Sequence, residues 1–188
     1  RDSGGVAALV ERDEKFGKSY FSLNSDGSRA DLIMIKGGGY RHPSSEETLR
    51  EKVVDEYGNI RSDEQGYMQG GDVFNFVIRE IPRDIKKTLE YAGDTADSFD
   101  YIVFHQANNF INAYIAKKMK LDTDKIPSTI AKYGNTSSVS VPLTIVSELK
   151  DRLYGNKKLL LSAFGVGMTW ATGIVPFVDC KISDIVEV

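Results

Sequence analysis

From Leu159 to Val178 the chain runs for twenty residues without a charge. A helix of that length could cross a membrane. Gly165, Gly167, Gly173 and Pro176 interrupt the run, however, and Ser162, Thr169 and Thr172 are scattered through it. Two short buried strands, 158–164 and 168–177, joined by a glycine turn account for it better than one apolar helix. The remaining chain must therefore fold around a buried strand pair.

Upstream, strands and helices alternate. Residues 6–11 and 19–24 read as strands, and Asp31–Lys36 as a third short apolar run that ends in Gly37-Gly38-Gly39. The segment 40–65 is polar and rich in turn signals, a surface excursion in which Ser45-Glu46-Glu47-Thr48 can cap a short helix through Val54. Asp72 can cap a helix whose apolar residues Phe74, Val77, Ile78, Ile81, Ile85 and Leu89 recur at helical spacing. Pro82 predicts a kink or two abutting helices there, and Gly93 the end. Phe99–Phe104 reads as a strand, followed by a helix to Met119 that buries Ile111, Tyr114 and Ile115. Ile126–Ile130 reads as a short strand or extended segment, and 137–154 as a helix with Val139, Leu143, Val146, Leu149 and Leu153 on one face. This alternation predicts a single α/β domain, with helices on both faces of a sheet.

The 188 residues hold 24 Lys and Arg against 27 Asp and Glu, a net charge of −3, which offers neither a nucleic-acid footprint nor a polybasic membrane patch. The single cysteine, Cys180, excludes an intrachain disulfide and any multi-cysteine metal site. No secretory signal opens these residues. The expected setting is cytoplasmic, with no nucleic acid, membrane, metal or cofactor involved.

Chemistry-bearing residues cluster at strand ends, where α/β sheets place their sites. His105 follows the strand ending at Phe104, Asn135 lies in a Gly-Asn turn at a helix entrance, and Gly165-Val166-Gly167 follows the strand ending at Phe164. An imidazole, a carboxamide and a run of backbone N–H groups can together hold a carbonyl oxygen as negative charge develops on it.

His105-Gln106-Ala107-Asn108, Gly134-Asn135-Thr136-Ser137-Ser138 and Phe164-Gly165-Val166-Gly167-Met168-Thr169-Trp170 occur in order. They resemble the three C-terminal motifs of the β-ketoacyl-[acyl-carrier-protein] synthase III family of thiolase-like condensing enzymes. Gly70-Gly71-Asp72-Val73-Phe74 and Asp2-Ser3-Gly4-Gly5-Val6-Ala7 resemble two further family segments. The resemblance implies a thiolase-like C-terminal half. Residues 1–12 would be the last strand of a missing N-terminal half, 13–178 the C-terminal half with its excursion, and 179–188 a tail.

In that family a Cys-His-Asn set condenses an acyl-CoA with malonyl-acyl carrier protein, and the cysteine belongs to the first half. The resemblance makes His105 and Asn135 the catalytic pair. Phe164, Gly165, Val166 and Gly167 would line the oxyanion side, and Ala107 and Asn108 the pantetheine tunnel. Lys117 and Lys118 would be carrier-protein contacts, although a solvated helix face accounts for that pair equally well. Cys180 is rejected as the nucleophile, because it ends a strand with no helix after it to lower its pKa. The complete protein would be a homodimer acting with acyl carrier protein, and the present residues alone would be inactive. Val166, Ala171, Phe110 and Phe104 depart from residues common in the family. The other readings are a polyketide-type synthase of the same fold and a non-catalytic module that binds pantetheine-linked acyl groups or dimerises.

Overall fold

The computed structural model describes residues 4–186 except 13 and 15. In chain order these form β1 (Tyr20–Ser25), β2 (Ile33–Met34), α1 (Glu46–Leu49), β3 (Lys52–Val53), β4 (Ile60–Arg61), β5 (Tyr67–Met68) and α2 (Gly70–Ala92). There follow β6 (Tyr101–Phe104), α3 (Asn109–Met119), α4 (Ile130–Tyr133), α5 (Ser140–Thr144), β7 (Asn156–Gly165) and β8 (Thr169–Val178). The chain divides into two compact units, one of residues 1–24, 77–164 and 170–188, the other of 25–76 and 165–169.

The main sheet has the order β1-β8-β7-β6. Strands β6 and β7 are parallel, with Tyr101 opposite Leu159 and Phe104 opposite Ser162. A parallel pair needs a crossover connection, which the segment carrying α3, α4 and α5 supplies. The three residues between β7 and β8 allow only an antiparallel hairpin. The sheet is therefore mixed, and with its helices the fold is α/β, as the alternation predicts. Along β1, Tyr20, Ser22 and Asn24 are half-buried while Phe21, Leu23 and Ser25 are exposed, the period-two pattern of a strand with one covered face.

Helix α2 places Val77, Ile81, Ile85 and Leu89 in the core of the first unit. Asp72 lies inside its first turn rather than capping it, where its charge still complements the helix dipole. The end is a Schellman motif. Gly93 has φ +67, its N–H donates to the Glu90 carbonyl, and that of Asp94 donates to the Leu89 carbonyl.

Helix α2 runs unbroken from Gly70 through Pro82 to Ala92, so the chain does not divide there into two abutting helices. Proline removes the N–H that would have bonded the carbonyl four residues back, at Ile78. The Lys118 ammonium, on α3, donates to that same carbonyl at 2.7 Å. A side chain from another helix thus replaces the missing backbone donor. Lys118→Met should cost about 1 kcal/mol of stability. In a Pro82→Ala background, where the intrahelical N–H returns, the same change should cost close to nothing. Urea unfolding of the four proteins reads this directly, and an equal cost in both backgrounds would refute the substitution of one donor for the other.

Three other expectations change. Residues 6–11 form no strand, since no segment among the described residues pairs with them, and Leu9 and Val10 are almost fully exposed. Ile126–Thr129 is extended but unpaired, and Ile130 opens α4. The helix read over 137–154 is a chain of unlike turns: 3-10 at Ser137–Val139, α5, a π turn at Ile145–Leu149 and 3-10 again at Lys150–Arg152. Pro142 cannot bond the Ser138 carbonyl, and β-branched Val139, Val141, Thr144 and Ile145 crowd the same turns. The apolar face survives this irregularity. Ile145, Leu149 and Leu153 cluster with Val103 and Leu159, and Ile182 of the tail packs against them. On α3, Ile111 and Ile115 are buried as expected, but Tyr114 is 38% exposed.

The excursion near 40–65 belongs to the second unit, with antiparallel pairs β2–β5 and β3–β4. Ser45 and Thr48 close a capping box on α1. That helix stops after Leu49, short of the expected Val54, because Arg50 turns extended.

Candidate active site

The end of β6 sets His105. Its backbone N–H donates to the Ser162 carbonyl at 2.8 Å, which extends the parallel ladder by one residue. The His105 carbonyl accepts from the Ala107 N–H at 3.0 Å and from the Asn112 side chain at 3.2 Å. The chain turns there, and Asn108 caps α3 by accepting from the Ile111 N–H at 2.8 Å. The side-chain oxygen of Asn108, expected along a pantetheine tunnel, is thus engaged in a helix cap.

The imidazole is half-buried. Its Nδ1 lies 2.7 Å from Ser140 Oγ, and the ring meets Phe164 edge-on at 5.2 Å and 87°. Burial lowers its pKa below the ordinary histidine value, so the neutral ring is favoured. Phe164, the last β7 residue of this unit, thereby contacts the ring as one wall.

Gln106 is wholly buried and joins three segments. Its N–H donates to Ser140 Oγ at 3.3 Å, its Nε2 to the Phe104 carbonyl at 2.7 Å, and its Oε1 accepts from the Thr129 N–H at 3.0 Å and from Ser128 Oγ at 3.2 Å. A buried side-chain amide with all these partners holds the strand end and the 126–129 segment together.

Asn135 follows Gly134, whose φ of +64 is a left-handed conformation that glycine adopts without strain. The Asn135 Oδ1 accepts from the Ser137 N–H at 2.9 Å. That bond orients the amide, leaving the Nδ2 hydrogens without a protein partner among the described residues. Ser140, which contacts the His105 ring, lies in the same helical run that Asn135 opens.

The Gly165-Val166-Gly167 turn continues directly from Phe164 and belongs to the second unit. Gly167 has φ +141, and a Cβ there would sit 2.7 Å from Thr169 Cγ2. Only glycine fits that position. The Thr169 hydroxyl bonds the Val166 carbonyl at 2.9 Å, while Asp26 and Met168 exchange both backbone bonds at 2.8 and 3.1 Å. The turn is a constrained hairpin rather than a loose glycine loop.

The two lysines expected at a partner surface, Lys117 and Lys118, are both exposed, and Lys118 also donates to the Ile78 carbonyl. Cys180 is exposed and lies outside any helix or strand. No group of three or more His, Cys, Asp or Glu suited to a metal occurs among the described residues. Sequence reasoning missed Ser140, the buried amide of Gln106 and the Asn112 tie. Gln106 stood beside the histidine in the motif, while Ser140 was hidden among apolar helix residues.

Residues 89–177 match the family model described as 3-oxoacyl-[acyl-carrier-protein (ACP)] synthase III C terminal. A β-ketoacyl-[acyl-carrier-protein] synthase III from Streptococcus pneumoniae (strain Hungary19A-6) is 33% identical over 177 residues, covering 92% of this chain and 50% of the relative. The crystal structure of a 3-oxoacyl-(acyl-carrier-protein) synthase III aligns with TM-score 0.79 and 36% identity, over 89% of this chain and 49% of that one. A 3-oxoacyl-(acyl-carrier protein) synthase from Burkholderia xenovorans LB400 aligns with TM-score 0.78 and 36% identity, over 90% and 47%. The chain thus spans about half the length of these relatives. Among the described residues no helix is long and apolar enough to cross a membrane. With its motifs, its fold and these likenesses in agreement, the chain belongs to the β-ketoacyl-[acyl-carrier-protein] synthase III family and carries that family's C-terminal half.

Proposed function

We propose that the intact protein condenses an acyl-CoA with malonyl-acyl carrier protein, and that these residues supply the half that activates the malonyl group. The observation that carries this reading is the setting of His105, a half-buried imidazole at the end of β6 whose burial favours the neutral ring. Local backbone donation ties down the Asn135 oxygen and leaves its Nδ2 hydrogens unpaired among the described residues, while burial keeps His105 neutral. Two neutral donors suit an oxygen that gains charge only during reaction.

In the proposed step the bond between the malonyl α-carbon and its carboxylate breaks. Carbon dioxide leaves, and the electron pair passes into the thioester as an enolate. His105 and Asn135 donate hydrogen bonds to the enolate oxygen. The α-carbon then attacks an acyl thioester on a cysteine of the half not contained here, and that cysteine leaves as thiolate. Phe164 packs edge-on beside the imidazole. The Gly165–Gly167 turn offers a backbone N–H to the acyl oxyanion. No metal or cofactor takes part in this scheme, and acyl carrier protein approaches from the side of Lys117.

The test is a condensation assay on the intact protein with acyl-CoA and malonyl-acyl carrier protein, together with intact-mass analysis. Carbon dioxide release with formation of a 3-oxoacyl product supports the reading, with the acyl mass on a cysteine other than Cys180. An acyl group on Cys180, or no product, would overturn it.

Burial also sets a pH dependence. Because the folded state disfavours charged His105, the neutral ring persists below the ordinary pKa of about 6.5. The acid limb of kcat/KM should therefore fall below that pH. Stability contributed by the neutral ring is complete above the unfolded pKa and is lost as pH falls towards the lower folded value. An acid limb at or above pH ~6.5 in the free enzyme would contradict the assignment of His105 as the titrating donor.

A further inference from the structure

We propose that Ser140 is a positioning residue that gives its hydroxyl proton to His105 Nδ1 and so holds the imidazole as the Nε2–H tautomer. The inference rests on the reading that His105 donates to a substrate oxygen.

Ser140 is 1% exposed, so its hydroxyl has no route to solvent. Its oxygen already accepts the Gln106 N–H at 3.3 Å. It carries one proton, and a buried O–H is almost always given to an acceptor. Among the described residues the one acceptor at hydrogen-bond distance is His105 Nδ1, at 2.7 Å. A helical serine commonly bonds the carbonyl four residues back, which here is Thr136, yet Ser140 makes no such bond. Thr144, one turn further on, does make the equivalent bond, donating to the Ser140 carbonyl at 2.8 Å. Two hydroxyl residues in one helical run therefore behave differently, and the one facing the histidine has its proton directed at the ring.

Proton bookkeeping settles the direction. If Nδ1 bore the proton, Ser140 Oγ would accept two N–H groups and its own buried proton would have no acceptor. With Nδ1 as acceptor every group is satisfied, and the ring proton must reside on Nε2, the nitrogen facing away from Ser140.

The serine is itself held in place. Its carbonyl is bonded by Thr144, and since that proton is committed, Thr129 is the donor in the 2.8 Å pair between the two threonine hydroxyls. The Thr129 N–H is in turn held by Gln106 Oε1. A closed loop of hydrogen bonds thus runs from Gln106 through Thr129, Thr144 and Ser140 back to Gln106, with His105 attached at the serine.

The experiment is 15N NMR of the histidine ring in the intact protein, beside kinetics of Ser140→Ala and Ser140→Thr. In the unaltered protein His105 should show one protonated nitrogen, Nε2, with Nδ1 a hydrogen-bonded acceptor. Ser140→Ala should remove the acceptor signature at Nδ1 and lower kcat for condensation roughly 10–100-fold, the range typical when a partner orienting an imidazole is lost. The transfer of the acyl group to the enzyme should stay unchanged. Ser140→Thr, which keeps the hydroxyl, should restore most of the rate and the wild-type ring spectrum. An Nδ1–H ring in the unaltered protein overturns the proposal, as does an unchanged spectrum or rate in Ser140→Ala. If the intact protein condenses nothing yet shows the Nε2–H spectrum, the functional reading fails while the role of Ser140 stands.

Discussion

His105→Ala in the intact protein should lower the condensation rate by about 10²–10³-fold, and Asn135→Ala by a similar factor. Each removes one side-chain N–H donor from the proposed oxyanion site. The Asn135 amide is oriented by its bond from Ser137, and the His105 backbone is held by Ser162, Ala107 and Asn112. Neither donor needs to reorganise as charge develops, which is why each deletion is expected to cost so much. The two changes should not add. Under the proposed function both donors serve one oxygen, so the double variant should fall little below the worse single one. Malonyl-thioester decarboxylation followed alone, as carbon dioxide release, isolates this step from acylation of the enzyme. A rate within about threefold of the unaltered protein, against the loss expected for a preorganised donor, would remove either residue from the assigned role.

Asp84→Asn should produce the largest loss of stability from a single atom exchange, about 3 kcal/mol. Asp84 lies in α2 with 3% exposure. Its Oδ1 accepts from Ser22 Oγ at 2.5 Å and Asn24 Nδ2 at 2.8 Å, and its Oδ2 accepts from Thr172 Oγ1 at 2.6 Å. One carboxylate thus ties a helix to β1 and β8, and every partner is a donor. An amide replaces one acceptor with a donor: facing Thr172 it leaves that buried hydroxyl proton without its acceptor, and facing β1 it forfeits the bonds from Ser22 and Asn24. For a chain of this size the change corresponds to a fall in Tm of about 10 °C. A shift of less than about 2 °C would show that the network rearranges freely around an amide.

Much of the sheet was legible in the residues themselves. The uncharged run from Leu159 and the compact Phe99–Phe104 segment announced β7, β8 and β6, although β6 itself starts only at Tyr101, because strands buried on both faces must be apolar. What escaped was set by partners distant in sequence. Pro82 reads as a break between two helices until Lys118 is seen to bond the carbonyl that the proline leaves open. The Val6–Val10 run has strand composition, but a strand also requires a neighbour, which composition does not supply. The apolar face over 137–154 was visible at helical spacing, whereas the switch among 3-10, α and π turns depends on Pro142 and on crowding by branched side chains.

The site divides in the same way. His105 and Asn135 were read as candidates because a histidine after a strand, an asparagine in a glycine turn and a glycine turn after a further strand occur together and in order. Ser140 was not, because a serine within Val139-Ser140-Val141 looks like filler until its proton is traced. Lys118 was read as a surface cation for a partner, and its ammonium is bonded within the fold. No local pattern distinguishes those two uses of a lysine.

The pairing of Pro82 with Lys118 also constrains the order in which a lineage can change these positions. A chain that gains the proline first carries an unbonded helix carbonyl until a lysine arises on a different helix. A chain that gains the lysine first carries only one more surface cation, and the later proline meets a donor already in place. Lysine before proline is therefore the ascending path, and the reverse order passes through a less stable ancestor. Homologues with proline at this position should retain a long cationic or amide side chain at the other, while those without it are free to vary there.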